Sequence, residues 1–161
     1  MSPYGGFNMK RILILSLILL VFISACSSEN NDDFFGDYVF EEVSYLSPLL
    51  SSTKDFVSNQ MEGTKFLIRE DLFKIESKDY IEEYSSPKYV KEEISEDSSL
   101  LSDVYNLIAS DLDYQYTILD KNENKTYWRL YVSSNNLWIA KYNDRTKNGS
   151  EIIMYVYKLS L

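Results

Sequence analysis

Residues 114–159 read YQYTILDKNENKTYWRLYVSSNNLWIAKYNDRTKNGSEIIMYVYKL, and the spacing of their apolar positions decides the fold class. In Tyr114–Asp120, Thr126–Ser133, Leu137–Asn143 and Ile152–Leu159, large apolar and aromatic side chains recur at every second residue. That is the period of a strand with one face on a core. The connections are Lys121-Asn122-Glu123-Asn124-Lys125, Ser134-Asn135-Asn136 and Asp144 to Ser150. Asn, Asp and Gly tolerate the backbone of tight turns, so the four strands are expected to form an antiparallel meander. On the second strand Trp128 shares a face with Leu130 and Val132, while Tyr127, Arg129 and Tyr131 alternate to the other side, where Arg129 is expected to stay solvated. Trp138 alternates with Leu137 and Ile139 and is expected to face outward, in a second aromatic set with Tyr127, Tyr131 and Tyr142.

Upstream, Leu100, Leu101, Val104, Tyr105, Leu107 and Ile108 fall at three- and four-residue spacings, which predicts an amphipathic helix between Ser95 and Asp113. Four short runs precede it, Thr64–Arg69, Leu72–Glu76, Asp79–Tyr84 and Lys88–Ile94, each rich in strand formers and bounded by turn residues. Ser52-Thr53-Lys54-Asp55 reads as a helix start, with Phe56, Val57 and Met61 on the next turns and Gly63 as the stop. Tyr38 and Phe40 mark a first strand that Pro48 ends. The expected fold is therefore mainly β, a small antiparallel barrel or strongly curled sheet of about eight or nine strands with two short helices.

The N-terminal part has a different character. Lys10 and Arg11 precede the apolar run Ile12 to Ile23, followed by Ser24, Ala25 and Cys26. Basic pair, short apolar run and small residues are the order of an export signal, and the run is too short to span a bilayer, which takes about 20 helical residues. Ile23-Ser24-Ala25-Cys26 resembles the lipobox of bacterial lipoproteins. The resemblance implies that residues 1–25 are a signal peptide, with Met9 as the expected start, and that Cys26 is acylated and attaches the chain to a lipid bilayer. Residues 26–34 then read as an acidic tether and 35–161 as one β-rich domain. Ser27, rather than Asp, follows the cysteine, which favours the outer membrane or surface of the cell envelope if the cell has two membranes.

Removing the signal leaves 14 basic against 25 acidic residues, a net charge of about −11. Such a field repels phosphate backbones, so no nucleic-acid partner is expected. The chain has no His, which removes the commonest general base, zinc ligand and activator of Ser or Cys. The acidic pairs Glu41-Glu42, Glu82-Glu83, Glu92-Glu93 and Glu96-Asp97 place neighbours on opposite faces of a strand and read as solvated. A non-enzymatic protein with no metal and no cofactor is expected.

Gly36-Asp37-Tyr38 resembles the Gly-x-Trp opening of lipocalin-like, or calycin, barrels, and Lys158 stands where those families carry an Arg packed on that Trp. This resemblance implies a lipocalin-like barrel with a mouth for an apolar ligand, for which Tyr38, Tyr116 and Trp128 are the candidate lining residues. The expected function is a membrane-anchored envelope lipoprotein that binds an apolar small molecule or a protein partner. The alternative is a structural or inhibitory interaction protein whose core is closed and filled.

Overall fold

Period-two patterning produces nine strands, with one helix, among the residues that the computed structural model describes: 34–93, 112–143 and 151–161. They are β1 (Gly36–Leu46), α1 (Lys54–Met61), β2 (Lys65–Ile68), β3 (Leu72–Glu76), β4 (Ile81–Ser85), β5 (Lys88–Glu93), β6 (Leu112–Leu119), β7 (Lys125–Ser133), β8 (Leu137–Asn143) and β9 (Ile152–Ser160). All strand pairs are antiparallel, and β1 joins the last strand as well as the second. The sheet order is β4-β3-β2-β1-β9-β8-β7-β6-β5. Consecutive strands are thus neighbours everywhere except between β4 and β5.

That one seam makes the sheet a curled half-barrel, and the short link across it explains why. Ser86 has a φ of 50° and donates its N–H to Asp71 O at 2.8 Å, while Pro87 has no N–H to give. The type I′ turn of a two-residue hairpin also needs a positive φ at both central residues, which Pro87, fixed at about −65°, cannot adopt. Curling is nonetheless strong. Phe73 on β3 and Trp128 on β7 have ring centroids 6.4 Å apart, although four strands lie between them and adjacent strands are spaced by about 4.8 Å. Register shifts in β1–β9, β6–β7 and β8–β9 add local twist of the kind that bends a sheet.

The concave face holds the main core, including Tyr38, Phe66, Phe73, Ile75, Ile118, Trp128, Leu130, Ile139 and Tyr157, with Val57 and Met61 supplied by α1. Thr53 caps that helix by accepting from the Phe56 N–H at 3.2 Å, and Gly63 leaves it at a φ of 73° that side-chain-bearing residues avoid. At the start of β1, a Cβ on Gly36 would lie 2.9 Å from Cε2 of Tyr38. The glycine therefore makes room for the buried ring two residues on.

Four expectations are corrected. The second helix falls largely outside the described residues, but Leu112 and Asp113, assigned to it by spacing, belong to β6. Trp138 does not face outward: it is buried with Leu112, Tyr131, Ala140 and Val156 in a second cluster. Arg129 lies on that same side of β7 and is only 8% exposed. Lys158 points away from the Tyr38 side, since its neighbours Tyr157 and Leu159 join the main core, and it binds Glu41 at 2.9 Å.

Candidate functional site

Cys26 lies outside the described residues. Tyr38, Tyr116 and Trp128 all reach the concave core, with 7%, 3% and 0% of their surface exposed. Phe34 packs on Tyr116 at 4.3 Å between centroids and on Tyr89 at 5.4 Å, and its carbonyl accepts from the Tyr38 hydroxyl at 2.9 Å. The chain entering β1 thus fills the space beside two of the three candidates. Burial raises the Tyr38 pKa, so its hydroxyl remains a neutral donor.

Trp128 is filled in differently. Its indole N–H donates to Oε1 of Glu82 at 2.9 Å, and the Tyr84 hydroxyl donates to the same oxygen at 2.8 Å. Lys141 stands 5.0 Å from the Trp128 ring. Glu82 comes from β4 and Trp128 from β7, so this carboxylate bridges the two sides of the half-barrel on its concave side. Burial first, then the Glu82 hydrogen bond, holds the Tyr84 hydroxyl above the ordinary tyrosine range. The arrangement satisfies the polar ends of two aromatic residues; it contains no activated nucleophile.

Sequence reasoning placed neither Phe34 nor Glu82 here. Phe34 stands beside a polar run and reads in the sequence as the end of the tether. Glu82 reads in the sequence as half of a solvated pair, although it alternates with Tyr80 and Tyr84, and that parity is the available signal.

Across the sheet, Arg129 pairs with Glu151 and lies 4.1 Å from the Tyr142 ring centre, while the Tyr131 and Tyr142 hydroxyls bond to each other. Burial alone would lower the Arg129 pKa, but Glu151 and Tyr142 outweigh it and the net shift is upward. A permanently charged guanidinium is therefore held inside the second cluster.

A polar cleft of about 270 Å³ opens between the end of β4 and the β6–β7 turn, lined by Glu83, Tyr84, Ser85, Asp120, Lys121 and Asn122. Asp120 accepts from the N–H groups of Asn122 and Asn124, at 2.8 and 2.9 Å, and from the Asn124 side chain. These bonds, the Asn124 side chain first, lower its pKa. A carboxylate with a depressed folded pKa contributes stability above its unfolded value and loses it as pH falls through the folded one. The protection factors of the Asn122 and Asn124 amides are therefore expected to fall as pH drops below about 4, the ordinary Asp value, and Asp120→Asn should remove that acid sensitivity.

No family model, curated protein or solved structure matches this chain. Tyr80, Ile81, Val90, Tyr114 and Tyr127 are at least 37% exposed, and all lie on or beside the strands that flank the seam and the two that follow.

Proposed function

We propose that the chain is a non-enzymatic envelope lipoprotein, held to a bilayer by lipid on Cys26, whose half-barrel is a protein-binding module with a filled interior. One observation carries the reading. The three residues best suited to line an interior ligand site, Tyr38, Tyr116 and Trp128, are themselves packed side to side with Phe34, Phe73 and Glu82. Such an interior is a core. Recognition then falls to the outer surface, where the exposed side chains of Ile81 on β4, Val90 on β5 and Tyr127 on β7 supply apolar contact area amid a polar rim.

The anchor and the module are tested separately. Metabolic labelling with an alkyne fatty acid should mark the wild-type chain and leave Cys26→Ala unmarked; labelling of the variant at the wild-type level rejects the anchor. A photo-cross-linking residue at Tyr127, which is 47% exposed, should give a discrete protein adduct in intact cells. Absence of any adduct there and at Val90, which is 41% exposed on the same side of the sheet, rejects the interaction module.

A further inference from the structure

Among the described residues β5 has a hydrogen-bonded neighbour on one side only, β6, and its other edge is the seam. Open edges invite another strand, and proteins usually blunt them with charge. The charges on β5 have an unusual order. Tyr89 packs against the main core, so alternation turns Lys88, Val90 and Glu92 to the convex side. Val90 is 41% exposed, the Lys88 side chain is 57% exposed, and Glu92 is exposed as well. Read along the strand, the convex side is cation, apolar, anion. Read backwards from a second copy, it is anion, apolar, cation.

We propose that β5 pairs antiparallel with β5 of a second copy of this chain, on a twofold axis through Val90. Keeping convex side chains on one side of the joined sheet requires the axis to pass through a residue rather than between two, because paired residues share a face. Three placements then compete. An axis through Val90 sets Val90 against Val90 and places Lys88 of each copy opposite Glu92 of the other. Moving it to Lys91 sets Lys91 against itself and Glu92 against Val90. Moving it to Tyr89 sets Lys88 against Val90 and leaves Glu92 beyond the pairing partner's strand. Only the first matches both charges.

Existing contacts do not block this pairing. Lys88 reaches Glu123 and Glu92 accepts from Gln115, but an ammonium has three donors and a carboxylate about four acceptor positions. The other edge does not offer the same fit. On β4, exposed Glu83 sits between Ile81 and Ser85, so a central axis there opposes two carboxylates. The inference goes beyond the proposed function and does not depend on the lipid at Cys26.

Charge reversal in the full chain, extracted in mild detergent and followed by analytical ultracentrifugation, tests it. Wild type should dimerise. Lys88→Glu opposes Glu to Glu twice per dimer and Glu92→Lys opposes Lys to Lys twice, so each alone should weaken association by roughly tenfold or more. Mixing the two variants makes every opposed pair complementary again, and association should return as a heterodimer, which a misfolded variant could not give. The proposal is overturned if wild type stays monomeric up to its solubility limit, if either variant dimerises as well as wild type, if the mixture fails to associate, or if the edge is occupied by a different protein. None of these outcomes bears on labelling of Cys26.

Discussion

Trp128→Ala is expected to cost the fold about 3 to 5 kcal/mol, through lost transfer energy and the cavity left behind. That is a large share of the 5 to 15 kcal/mol or so typical of a domain. The side chain is fully buried, touches Phe73 and donates to Glu82. It therefore links β7 to both β3 and β4, on opposite sides of the seam. Trp128→Phe separates its two roles. The ring area is largely kept, Glu82 still receives the Tyr84 hydroxyl, and the loss should fall to about 1 to 2 kcal/mol. Tyr127→Ala, one residue away and 47% exposed, should change stability by no more than about 0.5 kcal/mol. Urea unfolding of the three variants, compared through midpoints at unchanged slope, gives these differences.

Glu151→Met should also be strongly destabilising, by about 3 kcal/mol. It leaves the Arg129 guanidinium charged within the second cluster with its carboxylate partner gone. Breaking a buried pair typically costs about 3 to 5 kcal/mol, and the lower end applies because the Glu151 side chain keeps 30% of its exposure. Removing both charges should do less harm than removing one. In Arg129→Met with Glu151→Met, desolvation no longer has to be offset, and much of the loss should be recovered. Additive losses in that double-mutant cycle would show that the pair carries no coupling and is in effect solvated. Trp138→Ala belongs to the same layer and should lose about 3 kcal/mol, where its sequence position alone suggested an outward ring with little effect on folding.

Most of the strand map was legible because a half-buried strand writes its period into the sequence. β7, β8 and β9 fall within a residue of their expected bounds. Thr53 and Gly63 likewise announce α1, since cap chemistry is local. What escaped notice depends on contacts distant in the chain. Alternation implies one wet face, yet Tyr131, Trp138 and Ala140 are buried just as Trp128, Leu130 and Ile139 are. Such a near-continuous apolar run is the mark of strands buried on both faces. Arg129 interrupted the run and concealed it. The choice between a closed barrel and a curled sheet turned on the Ser86-Pro87 link, whose Ser86 N–H bonds to Asp71, fifteen residues back, and so ties the link to β3 rather than to β5. Of the candidate site, the convergence of Tyr38, Tyr116 and Trp128 on one face was readable from parity. That Phe34 and Glu82 complete the packing around them was not, because nothing local distinguishes an inward carboxylate or an entering Phe from solvated ones.

Native mass spectrometry of the chain released from the membrane in mild detergent tests most directly the claim that the concave face is a core serving an outward-facing module. The mass should be that of the processed polypeptide with its acyl groups on Cys26, as monomer, dimer or polypeptide complex, with no further small molecule. A small apolar molecule retained at one per chain, and lost from Trp128→Phe, would contradict it.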